Sequence, residues 1–112
     1  MKGTVWIWNL YEGHRYDPAC CLYRIYDPET HDLLYVGQTC VSLRGRVQSH
    51  CKSKQWFMWD WRHALVTYEE FVSWDQTIIA EAEAIRDENP RYNVDRPDPD
   101  ALRSWYGAGE VA

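Results

Sequence analysis

The amino-acid sequence predicts a small α/β domain of the α+β type, in which a three-stranded antiparallel sheet is flanked by helices. Runs rich in β-branched, aromatic and aliphatic residues alternate with runs whose apolar residues recur at helical spacing, in the order strand, strand, helix, strand, helix. The 112 residues suffice for one domain, and 46% of them are hydrophobic. Seven Trp, eight Tyr and two Phe residues can fill its core without a metal or a disulfide.

The first two strands are expected to form a hairpin. They cover residues 21–26 and 33–38, and the turn-forming residues 27–32 lie between them. Because side chains alternate along a strand, Tyr23 and Tyr35 share a face only when odd-numbered residues pair with odd-numbered ones. We expect that register, with Ile25 opposite Tyr35.

The segment after the hairpin predicts a helix over residues 43–54. Its apolar stripe consists of Leu43, Val47 and Cys51. Arg46 and His50, four residues apart, border that stripe. Arg44 lies about 200° from Arg46 around the helix axis, so the two arginines cannot point to the same place.

A third strand is expected within residues 61–72, followed by a helix from about residue 73 or 75 to Glu88, which must end before Pro90. The predicted inner side of this helix consists of Trp74, Ile78, Ala82 and Ile85. Glu81 borders that side, whereas Glu83 lies further toward solvent. Since a partly buried acid costs free energy unless something pairs with it, Glu81 is the better candidate for a ligand.

We assign residues 20–96 to the domain itself. Residues 1–19 form an N-terminal extension in which residues 5–9 could add a strand, and residues 97–112 form a tail with a short helix over residues 98–106. No apolar run reaches the length of a membrane span, and the N-terminus lacks the apolar core of a signal peptide. The sequence therefore predicts a cytoplasmic protein with no membrane partner.

The charge is unevenly distributed. The net charge of −5 argues against a general nucleic-acid binder, because affinity for phosphates comes largely from Lys and Arg. Residues 41–68, however, carry five basic residues and one acidic residue, whereas residues 69–112 carry four basic and eleven acidic residues. A polyanion would therefore meet the middle segment, and the acidic remainder would keep non-specific binding weak.

The four cysteines are Cys20, Cys21, Cys40 and Cys51, and no two of them form a Cys-x-x-Cys pair. We expect them to be reduced and to behave as small hydrophobic residues. A structural disulfide is one alternative, and a zinc site that draws on His31 or His50 is another.

Two short motifs lie on the predicted hairpin, Cys21-Leu22-Tyr23 and Tyr35-Val36-Gly37. Downstream, His50 follows Arg46 by four residues, and Glu81 precedes Pro90 by nine residues and Asn93 by twelve. In this order and spacing the chain resembles the GIY-YIG nuclease family across residues 21–94.

Two positions depart from the family pattern. Cys21 stands where the first motif usually has glycine, and the segment from Gly37 to Arg46 is one residue longer than usual. The extra residue opens a choice between Arg44 and Arg46. The offset to His50 and the helix-face argument both favour Arg46.

The resemblance implies a metal-dependent endonuclease that hydrolyses phosphodiester bonds in DNA. Glu81 would hold one Mg²⁺ or Mn²⁺, which keeps most of its waters because a single carboxylate binds it. Arg46 would face the phosphate as a permanently charged fork. Asn93 would orient Tyr23, or the backbone around it, through its amide.

The tyrosines and the histidine would complete the catalytic set. One of Tyr23 and Tyr35 would act as the base or position the attacking water, and the other would donate a hydrogen bond to the phosphate. Because an ordinary tyrosine has a pKa near 10, the base role requires that the metal, Arg46 or His50 lower that pKa, or that His50 relay the proton.

The predicted DNA contacts in the basic segment are Arg44, Lys52 and Lys54. The neighbouring Trp56, Trp59 and Trp61 are expected to pack in the core or in a loop, with stacking on unpaired bases as the alternative. Specificity would come from loops, from a homodimer or from a partner protein. The rival functions are a non-catalytic DNA- or protein-binding module with the same fold, and a hydrolase that acts on a smaller phosphorylated substrate.

Overall fold

The computed structural model describes residues 2–6, 20–51 and 64–106. These form a four-stranded antiparallel sheet with three helices, an α+β fold. The strands are β1 (Lys2–Trp6), β2 (Cys21–Tyr26), β3 (Leu33–Thr39) and β4 (Leu65–Glu70). The helices are α1 (Leu43–Cys51), α2 (Trp74–Glu88) and α3 (Pro99–Tyr106). No helix within these residues is long and apolar enough to cross a membrane.

The predicted class is confirmed, but the predicted count of three strands is wrong by one. The strand order is β1-β4-β2-β3, so β1 extends the sheet at the free edge of β4. The sequence placed this additional strand at residues 5–9, whereas it covers Lys2–Trp6 in the described part of the chain. The difference arises because Gly3 pairs with Tyr68, and a glycine at that position leaves room for the tyrosine ring.

The hairpin turn is held by the side chain that begins it. Asp27 accepts a hydrogen bond from the backbone N–H of Glu29 at 2.9 Å, and its own N–H donates to the carbonyl of Asp32 at 3.0 Å. His31 adopts a left-handed conformation with φ of 64°, which polar turn residues tolerate. The turn thereby sets β2 against β3.

The helices begin and end at polar residues, as capping requires. Ser73 accepts a hydrogen bond from the N–H of Gln76 at 3.3 Å at the start of α2, and Asn89 ends the helix in a left-handed conformation just before Pro90. Ser42 accepts from the N–H of Gly45 at 3.1 Å at the start of α1. The predicted extension of α1 to residue 54 falls on residues outside the described part.

A hydrophobic core lies on each face of the sheet. On one face Tyr23 and Ile25 pack with Leu43 and Val47 of α1. On the other face, the core residues are Leu22 and Val36 of the sheet with Ala84 and Ile85 of α2. The strands β2 and β3, which carry the two tyrosine motifs, therefore lie between α1 and α2. This packing positions side chains from all four elements near one edge of the sheet.

The predicted inner side of α2 is wrong at one residue. Ile78, Ala82 and Ile85 are buried, but Trp74 remains 47% exposed. Trp74 is the first residue of the helix, and its ring meets Tyr106 of α3 edge-on with centroids 5.4 Å apart. The ring thus contributes to the contact between helices rather than to the sheet core.

The expectation that the cysteines are reduced is wrong for Cys20 and Cys40 and confirmed for Cys21. Cys20 and Cys40 form a disulfide, and Cys21 is a buried thiol. The register that pairs Cys21 with Thr39 brings Cys20 directly opposite Cys40, with their Cα atoms 3.8 Å apart. This disulfide joins the start of β2 to the end of β3.

Candidate active site

The hairpin places Tyr23 and Tyr35 side by side on one face of the sheet. The predicted register is confirmed, since Ile25 pairs with Tyr35 and Tyr23 pairs with Gly37. The centroids of the two tyrosine rings are 6.2 Å apart. A Cβ atom at Gly37 would come within 2.4 Å of the Tyr23 ring and 2.8 Å of the Tyr35 ring. The second motif therefore needs its glycine, because both rings occupy the space of a side chain.

The two tyrosines differ in their exposure. Tyr23 is fully buried, whereas Tyr35 is partly buried and lines a cavity of about 560 Å³. Burial raises the pKa of both hydroxyls, most strongly that of Tyr23, and Arg46 partly opposes the rise in each case. Both phenols therefore keep their protons at neutral pH in the chain alone.

Arg46 connects the buried tyrosine to the cavity. Its guanidinium donates a hydrogen bond to the hydroxyl of Tyr23, and it lines the cavity together with Tyr35. Arg44 is partly buried and is not among the described residues that line this cavity. The structure thus brings Arg46 to the tyrosines and leaves Arg44, a predicted DNA contact, outside the site.

Glu81 of α2 faces the same cavity from the opposite helix. Burial raises its pKa to about 7, although Arg46 and a hydrogen bond from the backbone N–H of Gln38 both lower it. Glu83, two residues further along α2, instead forms an ion pair with Arg103 of α3. The helix therefore directs one glutamate into the cavity and the other to the neighbouring helix.

Asn93 fixes the segment after Pro90, which lines the cavity, to the edge strand β3. Its side chain accepts a hydrogen bond from the N–H of Val36 and donates one to the carbonyl of Val36, both at 2.9 Å. The N–H groups of Arg91 and Tyr92 donate to the carbonyls of Leu33 and Leu34 at 3.1 and 2.8 Å. Asn93 therefore orients the strand beside Tyr35, whereas the sequence suggested that it orients Tyr23 or the backbone around Tyr23.

The cavity wall also contains residues that were not predicted from the sequence, among them Gln38, Asp95 and Arg96. Gln38 directly follows the second motif, which is the one local signal that could have pointed to it. Asp95 raises the pKa of both Glu81 and Tyr35, so it lies within their electrostatic reach. No spacing rule identifies Asp95 or Arg96, because a loop brings them to the site.

Several predicted functional residues lie outside what the structure describes. His50 belongs to α1, but its side chain is not described, and Lys52 and Lys54 fall in residues 52–63, which are also outside the described part. The same holds for Trp56, Trp59 and Trp61. Their expected roles stay predictions.

The donors in the cavity suit a hard, hydrated cation. Within residues 2–6, 20–51 and 64–106, no three His, Cys, Asp or Glu side chains gather in a way that could hold a metal, so a cage of protein ligands is not formed there. Glu81 offers a carboxylate, and the buried side-chain oxygen of Gln38 accepts no hydrogen bond from any described residue. Oxygen donors of this number fit Mg²⁺, which binds through one or two carboxylates and keeps several waters.

Comparison with known proteins identifies the family of the chain. A model of the family described as the GIY-YIG catalytic domain matches residues 19–93, a range that holds both tyrosine motifs, Arg46, Glu81 and Asn93. No curated protein and no solved structure matches the chain significantly. The GIY-YIG domain has a nuclease-type fold, and its members are generally endonucleases. Because the match spans well over half of the 112 residues, the chain belongs to the GIY-YIG family.

Proposed function

We propose that the chain is a divalent-metal-dependent endonuclease that hydrolyses phosphodiester bonds in DNA. The observation that carries the proposal is the convergence of Tyr35, Arg46 and Glu81 on one cavity, with Tyr23 buried behind Arg46. In this reaction a water oxygen attacks phosphorus and gives up a proton, one P–O ester bond breaks, and the leaving oxygen takes a proton. The site must therefore bind the phosphate, place the water and stabilise the developing charge.

Arg46 binds the phosphate. Its guanidinium keeps its charge at all relevant pH values and presents a planar set of donors that suits phosphate oxygens. The hydrogen bond to Tyr23 holds this side chain toward the cavity. Because Tyr23 is fully buried, its role is to position Arg46 rather than to contact the substrate.

Tyr35 faces the substrate. It lines the cavity, whereas Tyr23 does not, so it is the tyrosine within reach of a bound phosphate or an attacking water. Its raised pKa keeps the hydroxyl protonated, and the hydroxyl can therefore donate a hydrogen bond to a phosphate oxygen and accept one from water. A role as the base requires that groups added to the cavity lower this pKa.

Glu81 and the side-chain oxygen of Gln38 are the groups that would hold the cation. A bound Mg²⁺ or Mn²⁺ supplies Lewis-acid stabilisation of charge on the phosphate and lowers the pKa of water. In the chain alone, Glu81 has a pKa of about 7 because burial disfavours its charged form. Nearby positive charge favours the ionised carboxylate that a hard cation needs.

The experiment is a cleavage panel with the purified full chain. Plasmid, single-stranded and branched DNA are incubated with Mg²⁺, with Mn²⁺ and with EDTA, using wild-type protein, Arg46→Lys and Arg46→Ala. We expect metal-dependent cleavage by the wild type and a loss of about 10²–10³-fold in Arg46→Ala, the size found when a charge-stabilising donor is removed. The cleavage rate of Arg46→Lys should lie between these two, since lysine keeps the positive charge but not the planar, bidentate guanidinium.

Three outcomes would contradict the proposal. Cleavage that persists in EDTA would contradict the dependence on a divalent metal. A folded wild-type chain that binds DNA or protein but cleaves none of the substrates would favour a non-catalytic module. Hydrolysis of small phosphorylated compounds without DNA cleavage would favour a different substrate class. The target sequence and any homodimer or partner protein that supplies specificity are separate questions for the same panel.

A further inference from the structure

Arg96 lies just beyond the residues that the family model matches, yet it lines the same cavity as Arg46 and Glu81. It belongs to the segment between Asn93 and α3. The residue is exposed, and its Nη2 atom donates a hydrogen bond to the backbone carbonyl of Pro90 at 3.1 Å. The cavity is therefore lined by a second arginine, which comes from the segment after Asn93 rather than from α1.

The position of Arg96 is set by its surroundings. Asn93, three residues earlier, is tied to β3 by two hydrogen bonds, and Pro97 follows directly, which restricts the backbone of Arg96 to extended conformations. The bond to Pro90 uses one of the five N–H donors of the guanidinium. The remaining donors are held near the cavity at a lower entropic cost than those of an untethered side chain.

Arg96 also differs from four other arginines in its ion pairing. Other arginines of the described residues lie within 4 Å of a carboxylate: Arg24, Arg86, Arg91 and Arg103. Arg96 has no such ion pair within the described part of the chain, since its hydrogen-bond acceptor there is an uncharged carbonyl. Asp95 shares the cavity and partly offsets this charge. The guanidinium is therefore available to an anion that enters the cavity.

We propose that Arg96 binds a second phosphate of the DNA backbone, next to the phosphate held by Arg46. The proposal rests on the proposed function, because DNA supplies phosphates in series and a small phosphate ester does not. Arg46 lies on α1 and donates to the hydroxyl of Tyr23, whereas Arg96 lies in the loop after Asn93 and donates to the carbonyl of Pro90. The two cations therefore reach the same cavity from different segments of the chain. A polymer that crosses the cavity would meet both.

The test is the salt dependence of DNA binding by the full chain. Fluorescence anisotropy of a labelled duplex is measured in EDTA, where no cleavage is expected, at KCl concentrations between about 50 and 200 mM. Each phosphate contact contributes about 0.9 to the slope of log K against log salt. Arg96→Gln should lower the slope by that amount and weaken binding about eightfold at 0.1 M salt, whereas Arg96→Lys should keep the slope.

Two comparisons of slopes separate a phosphate contact from a structural role. A purely structural Arg96 makes no phosphate contact, so Arg96→Gln would then keep the wild-type slope, and that result would overturn the proposal. Arg86→Gln is the matched control, since Arg86 lies on α2 outside the cavity and pairs with Asp87 at 2.9 Å. Its slope should equal that of the wild type, and a loss equal to that of Arg96→Gln would also overturn the proposal.

The two proposals fail in different ways. If Arg46→Ala lowers the slope and Arg96→Gln does not, the second phosphate contact is wrong and the proposed nuclease stands. If the wild-type chain binds no DNA at any salt concentration, both proposals are wrong. If it cleaves DNA and Arg96→Gln loses one contact, both are supported.

Discussion

At the scale of single residues, burial decides what each polar side chain can do. Tyr23 and Tyr35 come from similar motifs, but one is sealed in the core and the other faces a cavity. The sequence could predict that they share a face, because alternation and register are local properties. It could not predict which one faces the cavity, since that depends on how α1 and the loop after Pro90 cover the sheet.

The raised pKa of Glu81 predicts an unusual pH dependence of stability in the absence of divalent cations. The pKa is about 7 in the folded chain against 4.5 for an ordinary glutamate. Between these values the folded state binds more protons than the unfolded state, so the free energy of unfolding falls as the pH rises. Above pH 7 the cost of the ionised carboxylate is fully present, at most about 3–4 kcal/mol.

Glu81→Gln should remove this cost. We expect the variant and the wild type to have similar free energies of unfolding near pH 4.5 or below, and the variant to be more stable by roughly 1–3 kcal/mol at pH 8. Urea denaturation in EDTA at a series of pH values measures both. A difference between the two proteins that does not grow with pH would show that Glu81 has an ordinary pKa.

At the scale of elements, a small residue and local hydrogen bonds allow β2 and β3 to pack at the site. Gly37 accommodates two aromatic rings, and Asn93 fastens the outer edge of β3. The hairpin and its register were predictable because alternation and turn chemistry act over a few residues. The disulfide was missed, although the predicted register, continued to the start of β2, already places Cys20 opposite Cys40.

Gly37 should not tolerate even one methyl group. In Gly37→Ala the new Cβ would lie 2.4 Å from the Tyr23 ring, so the rings or the strand must shift. We expect a loss of about 2 kcal/mol or more in the free energy of unfolding, as for other overpacked core sites. The displaced tyrosines should also reduce DNA cleavage.

Gly45→Ala provides the matched control. Gly45 lies exposed in α1, where a Cβ would meet Ser42 at ordinary distances of 3.5 and 3.6 Å. Replacing a helical glycine by alanine should stabilise the chain by about 0.5–1 kcal/mol. Urea denaturation of the two variants compares them directly, and equal effects would contradict the packing assigned to Gly37.

At the scale of the whole molecule, the site exists only because distant segments meet. Tyr23 and Tyr35 lie on the hairpin, Arg46 on the helix that packs on one face, and Glu81 on the helix that packs on the other. The order of elements and the spacing of the motif residues were readable from the sequence. The bounds and pairing of the fourth strand, and the position of the loop that carries Asp95 and Arg96, were not, because they follow from tertiary contacts alone.

The most direct test of this convergence compares two neighbouring glutamates of α2. Glu81 faces the cavity, and Glu83 pairs with Arg103 outside it. Plasmid nicking in Mg²⁺ is measured for the wild type, Glu81→Gln and Glu83→Gln, with circular dichroism to verify folding. The account predicts that Glu81→Gln loses at least about 10²-fold in nicking rate while Glu83→Gln keeps the wild-type rate. Equal rates for a folded Glu81→Gln and the wild type would contradict it.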